Sequence, residues 1–211
     1  MSQGRGKEAL ACFEAWLQKE PNNMMAWNFK GLALRALSRF DDAMFCFEQA
    51  LTLLPNDAPT FGNMGRTLHD KGDYEAAIRV LDKYLAAKLS SADGWNFKGS
   101  CFAKLKRPLD ALACYDKATT HKPDKADYWS NKGTAHADLG SFGEALACYQ
   151  KAVDLEPGCI TAWYNRAEVE ERLGSKEAAI RSLERFVSVA PAAMQTQIAD
   201  AQERIRRLRD L

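Results

Sequence analysis

Residues 144–157 carry the sequence Glu-Ala-Leu-Ala-Cys-Tyr-Gln-Lys-Ala-Val-Asp-Leu-Glu-Pro. The alanine at position 145, the aromatic residue four positions later and the closing proline each belong to a slot that recurs along the chain every 34 residues. The alanine slot holds Ala43, Ala77, Ala111, Ala145 and Ala179; the large apolar slot holds Phe47, Leu81, Tyr115, Tyr149 and Leu183; the proline slot holds Pro21, Pro55, Pro123, Pro157 and Pro191. Such a fixed period indicates a repeat protein.

A second pair of slots lies sixteen residues before the alanine slot and the large apolar slot, towards the N-terminus. The aromatic slot holds Trp27, Phe61, Trp95, Trp129 and Trp163, and a small residue follows four positions later at Gly31, Gly65, Gly99, Gly133 and Ala167. Residues four apart share one face of a helix. A small residue there lets a second helix approach closely, and we expect the alanine of that second helix to face it. The dipeptides Gly72-Asp73, Gly140-Ser141 and Gly174-Ser175 predict the turn between the two helices.

The complete pattern, W-x3-G…A-x3-[FY]…P with a period of 34 residues, resembles the tetratricopeptide repeat (TPR) family. The resemblance implies an all-α fold, a right-handed α-solenoid superhelix of stacked helix–turn–helix repeats, whose concave groove binds extended peptides or helices. It implies repeats at 24–57, 58–91, 92–125, 126–159 and 160–193. A flexible N-terminus (1–7) and an orphan or capping helix (8–23) precede them, and a C-terminal capping helix (194–211) follows. We expect Arg204, Arg206, Arg207 and Arg209 on the solvated outer face of that cap.

Some positions depart from the pattern. Leu89 replaces the closing proline of the second repeat, and Tyr84 stands where Ala50, Ala118 and Ala152 are small. These departures predict local changes in packing.

Composition and motifs narrow the function classes. The formal net charge is +1, and no apolar run approaches the roughly 20 residues of a membrane-spanning helix. We therefore expect a cytoplasmic protein without membrane insertion. The cysteines lack metal-ligand spacing, and the sequence has no phosphate loop, nucleophile elbow or zinc-protease motif. We predict no cofactor, no metal and no enzymatic activity. A nucleic-acid partner is not expected either, because it would require a basic groove with interleaved aromatic residues.

A helix face begins one residue after the aromatic slot, and the resemblance to the TPR family implies that this face lines the concave groove and binds a protein or peptide. The candidate groove residues are Asn28, Arg35, Arg66, His69, Asn96, Lys104, Ser130, Asp138, Tyr164, Glu168 and Glu171. The charge changes from basic in the first two repeats to acidic in the last two, so the hypothesis places the acidic end of a bound segment near Arg35 and Arg66. Asn28 and Asn96 could hold its backbone amides.

Two alternatives remain open. The groove residues could simply be a solvated polar surface, or the chain could be an assembly module that self-associates through its end helices, using Trp16 and the 194–211 helix. The two-carboxylate clamp found in some TPR proteins is not predicted. Its Lys–Asn step is missing at Asn28/Leu32, at Gly62/Arg66 and at Asn96/Ser100.

Overall fold

The computed structural model describes residues 2–210, with side chains from residue 6 onward, and within this range every regular element is a helix. The elements are α1 (Ser2–Lys19), α2 (Met24–Ala36), α3 (Phe40–Leu53), α4 (Ala58–Lys71), α5 (Tyr74–Ala87), α6 (Ala92–Lys104), α7 (Pro108–His121), α8 (Ala126–Asp138), α9 (Phe142–Leu155), α10 (Ile160–Arg172), α11 (Lys176–Val189) and α12 (Gln195–Asp210), with a 3-10 turn at Ala192–Met194 before α12. Consecutive helices pack against one another from α1 to α6 and again from α7 to α12, so the predicted all-α fold of stacked helix–turn–helix repeats is confirmed.

The chain divides into two compact units, an N-terminal unit of residues 1–105 and a C-terminal unit of residues 106–211. Each predicted repeat contains two helices, and we call the first the A helix and the second the B helix. The N-terminal unit holds α1 to α6 and the C-terminal unit holds α7 to α12. The division therefore separates the A helix of the third predicted repeat from its B helix.

The first helix begins earlier than the sequence indicated. It starts at Ser2, whereas the prediction placed a flexible segment up to Lys7; Met1 lies outside the described residues. Glycine weakens a helix, but Gly6 lies against Leu37, and a Cβ atom added to it would come within 3.0 Å of the leucine side chain. The glycine thus allows a close approach between α1 and the end of α2, and this packing supports the additional helical turn.

The turns between A and B helices share one backbone conformation. At the same slot of every repeat the chain adopts a positive φ, at Ser38, Gly72, Lys106, Gly140 and Gly174. Glycine reaches this left-handed region without strain, which explains the turn signals in the sequence. The first and third repeats adopt it with serine and lysine instead.

In the first, second and fourth repeats, the glycine of the A helix accommodates the large residue of the B helix that follows it. A Cβ atom added to Gly31 would lie 2.6 Å from the ring of Phe47, and one added to Gly133 would lie 2.7 Å from the ring of Tyr149. The close approach predicted from sequence is present. However, the main partner of the glycine is the large apolar side chain, rather than the alanine that precedes it by one turn.

The tryptophan slot joins each A helix to the turn before it. The indole Nε1 of Trp27, Trp95, Trp129 and Trp163 donates to the carbonyl oxygen six residues earlier, at 2.8–2.9 Å. Three residues after each tryptophan a cation lies over the indole ring, and in three cases it also pairs with an acid sixteen residues earlier: Lys30 with Glu14, Lys98 with Asp82 and Lys132 with Asp116. These contacts hold an A helix to the preceding B helix.

Candidate protein-binding face

The predicted groove residues of the N-terminal unit lie on α2, α4 and α6, and we call their shared surface the A-helix face. Asn28 is buried there, with 9% of its surface exposed. Its amide nitrogen donates to the hydroxyl of Thr60, and its amide oxygen accepts a 2.7 Å hydrogen bond from Asn63. Asp57, the N-cap of α4, holds Thr60 from the other side at 2.6 Å. Asn28 therefore joins α2 to α4 through its polar side chain.

Two other predicted residues of this unit are also bonded to neighbouring repeats. Arg35 donates from Nε to Asp70 at 2.7 Å, so its charge is compensated within the fold. The Nε2 atom of His69 lies 2.9 Å from the hydroxyl oxygen of Ser100. The His69 ring also packs edge-on against Phe97, with 6.0 Å between ring centroids. These contacts connect α2 to α4 and α4 to α6.

Arg66 is placed differently. Its guanidinium lies over the ring of Phe97, 5.0 Å from the centroid, and it makes no ion pair with any residue whose side chain is described. It borders a cavity of about 420 Å³ between α4, α5 and α6. This cavity, which we call the Gly62 cavity, is lined by Pro59, Gly62, Asn63, Arg66, Leu81, Tyr84, Lys88, Asp93, Gly94 and Phe97.

A second cavity adjoins the first on the side of α2. It has a volume of about 270 Å³ and is lined by Met24, Met25, Asn28, Phe29, Leu32, Asp57, Pro59 and Asn63. We call it the Phe29 cavity. Two of its side chains are large, apolar and well exposed, Met25 at 54% and Phe29 at 40%. The linings of the two cavities share Pro59 and Asn63, so the cavities are neighbours on the A-helix face.

The remaining predicted residues of the N-terminal unit are on α6. Asn96 is half-buried, and Lys104, the last residue of the helix, is exposed.

In the C-terminal unit the predicted residues on α8 and α10 form a smaller site. Ser130 is buried, with its hydroxyl 3.2 Å from that of Thr161. Asp138 and Glu168 are exposed and line a small cavity of about 90 Å³. Arg172 lines the same cavity and donates to Glu168 at 2.7 Å. This ion pair compensates part of the negative charge of the cavity.

The last two predicted residues, Tyr164 and Glu171, lie under α12. The Tyr164 hydroxyl donates to Asp200 at 2.9 Å, and Arg204 stacks over its ring with 5.1 Å to the centroid. Burial, assisted by the hydrogen bond to Asp200, raises the pKa of the Tyr164 hydroxyl. Glu171 accepts from Arg204 at 2.8 Å and from Arg207 at 3.4 Å. The capping helix therefore covers this end of the predicted acidic region.

This arrangement corrects one prediction about the cap. Arg204 was expected on the solvated outer face of the helix, but its side chain is only 13% exposed and packs against α10. The i and i+4 spacing of Asp200 and Arg204 could have indicated an inward-facing polar pair. The prediction instead followed the apolar periodicity of Ala201, Ile205 and Leu208. Because Asp200 and Arg204 lie outside that apolar stripe, Arg204 was assigned to the solvated face.

Metal binding and membrane insertion each need a distinct arrangement of residues. Among the described residues, no three His, Cys, Asp or Glu side chains are grouped as a metal ion would require. None of the described helices is both long enough and apolar enough to cross a bilayer.

Known protein families match most of the chain. Models described as tetratricopeptide repeat match residues 25–57, 46–79, 63–128 and 142–208. A model of the protein prenyltransferase alpha subunit repeat matches residues 7–37, at the first two helices. Among curated proteins no significant match is found.

Solved structures share the fold at low sequence identity. MamA from Desulfovibrio magneticus RS-1 superposes with a TM-score of 0.73 at 20% identity, over 79% of this chain and 94% of that one. YrrB, described as a TPR protein with an unusual peptide-binding site, gives a TM-score of 0.69 at 20% identity, over 90% and 97%. A thermophilic TPR protein from Thermus thermophilus gives 0.67 at 22% identity, over 90% and 100%. With its repeat pattern, its helix pairs and these family matches, the chain belongs to the tetratricopeptide repeat family.

Proposed function

We propose that this chain is a non-catalytic protein-interaction scaffold whose N-terminal unit binds an extended segment of a partner protein on the A-helix face. The observation that carries the proposal is the pair of neighbouring Phe29 and Gly62 cavities on this face. Concave sites with apolar walls and a few polar groups are the usual binding sites of proteins. The peptide-binding site described for YrrB, which shares this fold, is consistent with the same mode of use.

The dimensions suit an extended segment. Packed helices lie about 8–10 Å apart, and the side chains of an extended chain advance about 3.3 Å per residue. Side chains two residues apart point to the same side of an extended segment, about 7 Å apart, so two of them can enter the two cavities together. Pro59 and Asn63 would lie beneath the backbone that connects them.

The charges give the segment a direction. Arg35 is compensated by Asp70, which leaves Arg66 as the basic group of the predicted groove that is uncompensated in the first two repeats. Lys88, which borders the same cavity as Arg66, also lacks an ion pair within the described range. We therefore place the acidic part of the bound segment at Arg66, whereas the sequence hypothesis used Arg35 and Arg66 equally.

A site-specific crosslinking experiment tests the proposal. The photo-reactive residue p-benzoylphenylalanine would replace Phe29 on the A-helix face or, as a matched control, Phe45, which is 55% exposed on the B helix α3. We expect illumination in an extract of the source cells to give a discrete crosslinked partner at position 29 and not at position 45. Crosslinking to the same partners at both positions, or at neither, would contradict binding on the A-helix face.

Charge reversal then tests the direction of binding with the purified crosslinked partner. Arg66→Glu, alone or with Arg35→Glu, should weaken binding by about fivefold at low salt and by less at high salt, because exposed ion pairs are weak and screened. Arg79→Glu is the matched control, since Arg79 is exposed on the B helix α5 of the same unit. Unchanged affinity in the double variant would refute the proposed direction.

Self-association through the terminal helices is a second candidate, supported by the incomplete burial of α1. Ala9 and Phe13 occupy the slots of Ala43 and Phe47, which are fully buried, but both are only partly buried. Sedimentation at several concentrations, with Phe13→Ser and Trp16→Ser as comparisons, would detect association through this helix. A cytoplasmic location likewise remains a prediction from the sequence.

A further inference from the structure

The Gly62 cavity exists because one repeat lacks a side chain that the others have. Position 62 belongs to a slot that holds Asn28, Gly62, Asn96, Ser130 and Tyr164. In the first repeat the side chain of that slot, Asn28, is folded against the next A helix. In the second repeat there is no side chain, and the space beside α4 stays open as a cavity of about 420 Å³.

A large aromatic ring forms the opposite wall. Tyr84 stands in a slot where Ala50 and Ala118 are small and fully buried. A Cβ atom added to Gly94 would come within 2.6 Å of the Tyr84 ring, and one added to Gly62 would lie 3.3 Å from it. The Tyr84 hydroxyl is fixed by Ser91, 2.9 Å away. The ring is thus held between two glycines as a rigid apolar wall.

The rim of the cavity is charged, with an excess of positive groups. Arg66 and Lys88 are its cations, and neither makes an ion pair with another described side chain. Asp93 is its one carboxylate. Arg66 is held over the Phe97 ring, which forms part of the apolar floor together with Leu81. A ligand that complements these walls is apolar inside the cavity and negatively charged at the rim.

We propose that the Gly62 cavity binds a bulky apolar side chain whose neighbouring carboxylate is recognised by Arg66 and Lys88. The inference rests on the proposed function, because it assigns a residue preference to one part of the A-helix face. The volume is within the range of small-ligand pockets, about 300–1,000 Å³. Arg66 supplies several N–H donors in a plane, the geometry that suits a carboxylate. That carboxylate can come from an acidic side chain or from the end of a partner chain.

Small probes test the cavity without knowledge of the partner. 3-Phenylpropionate carries both the ring and the carboxylate, 3-phenylpropanamide lacks the charge, and propionate lacks the ring. In NMR titrations of the full chain we expect 3-phenylpropionate to shift the amide signals of Gly62, Gly94 and Phe97. It should bind about fivefold more tightly than 3-phenylpropanamide, the upper limit for an exposed charge pair, and also more tightly than propionate, which buries no ring. Equal affinities, or shifts elsewhere, would overturn the proposal.

Two variants locate the binding. Gly62→Asn introduces the residue found at the same slot of the first and third repeats, and its Cβ atom fits with a small adjustment of Tyr84. It should abolish the shifts, whereas the control Gly143→Asn, at an open position on α9, should not change them. Arg66→Gln keeps the cavity and Lys88, and it should reduce the affinity for 3-phenylpropionate towards that for the amide. If either Gly62→Asn or Arg66→Gln binds 3-phenylpropionate like the parent chain, the assignment is wrong.

Two arms distinguish the carboxylate sources. N-acetylphenylalanine presents a terminal carboxylate, and N-acetyl-Glu-Phe-amide presents one on a side chain; preferential binding of either supports the proposal and identifies the source. The outcome is separable from that of the proposed function. Crosslinking at Phe29 without any probe binding would leave the scaffold proposal intact and reject the cavity preference. Probe binding without crosslinking would support the cavity preference and reject the scaffold proposal.

Discussion

The carboxylate of Glu171 on α10 accepts a hydrogen bond from the guanidinium of Arg204 on α12, with 2.8 Å between Nε and Oε1. Both side chains are largely removed from solvent. Glu171 was predicted to face a binding groove, yet its charge is used to hold the capping helix. The interaction therefore has a structural role in the C-terminal unit, and the strongest case for partner binding is on the A-helix face of the N-terminal unit.

Removing the Arg204 side chain should loosen α12. Arg204→Ala leaves the poorly solvated Glu171 carboxylate without its main donor, which typically costs about 1–3 kcal/mol. Hydrogen exchange of the α12 amides should accelerate accordingly, because the free energy of local opening of this helix would be lower. Arg206→Ala is the matched control, because Arg206 is exposed and makes no ion pair within the described part of the chain. Equal acceleration in both variants would show that the Glu171 contact is not what secures the helix.

The repeat architecture was predictable because it depends on residues that recur. Gly133 and Tyr149 are sixteen residues apart, like their counterparts in other repeats, so the pairing of their helices was predictable, although Ala145 rather than Tyr149 was expected to face the glycine. The pairing of the groove residues was not recognised, although it also has a regular spacing. Arg35 pairs with Asp70 and Asn28 with Asn63, each across 35 residues, which brings neighbouring A helices side by side.

Spacing alone could not show which groove side chains remain available. Whether an arginine bonds a neighbour or faces solvent depends on side-chain rotamers and on the residue opposite, as the difference between Arg35 and Arg66 demonstrates. The Gly62 cavity likewise requires the position of the Tyr84 ring, which the sequence identified only as a departure from the pattern. Hydrophobic periodicity predicts faces, whereas cavities depend on the packing of individual side chains.

Adding a methyl group at the helix contact of the fourth repeat should destabilise the chain. The Cβ atom of Gly133→Ala would come within 2.7 Å of the Tyr149 ring and 3.2 Å of the Ala145 carbonyl oxygen. Overpacking of this kind costs about 1–3 kcal/mol, more than the gain in helix propensity, about 1 kcal/mol. Urea unfolding would measure the difference.

The same substitution at Gly143 provides the control. Gly143 lies in the first turn of α9 with nothing within 4 Å of an added Cβ atom. Gly143→Ala should stabilise the chain by about 0.5–1 kcal/mol because alanine loses less backbone entropy on folding. If Gly133→Ala were equally stabilising, the close approach between α8 and α9 would be refuted.

The turn of the first repeat offers a stabilising substitution. Ser38 adopts a φ of 58°, at the slot where Gly72 has 92°. A left-handed conformation destabilises a residue with a side chain by roughly 1–2 kcal/mol. Glycine avoids this strain, but it loses more conformational entropy on folding, which offsets part of the gain. Ser38→Gly should therefore raise the free energy of unfolding by about 0.5–1 kcal/mol, and Gly72→Ser should lower it. A destabilising Ser38→Gly would indicate that the serine side chain has a role in the turn.

The free energy of unfolding should decrease in alkaline solution because a buried thiol and a buried phenol keep their protons to a higher pH in the folded chain than in the unfolded chain. Burial raises the pKa of the Cys46 thiol from 9.0 to about 11 and that of the Tyr149 hydroxyl from 10.0 to about 12. Between pH 9 and 11 the unfolded chain releases the Cys46 proton while the folded chain keeps it, so rising pH favours unfolding. Each group contributes a slope of about 1.4 kcal/mol per pH unit within its own window, pH 9–11 or pH 10–12. Urea unfolding from pH 8 to 11.5 should show a shallower decline from pH 9 in Cys46→Ala and from pH 10 in Tyr149→Phe. Slopes identical to that of the parent chain in both variants would mean that these two groups ionise as easily in the folded chain as in the unfolded one.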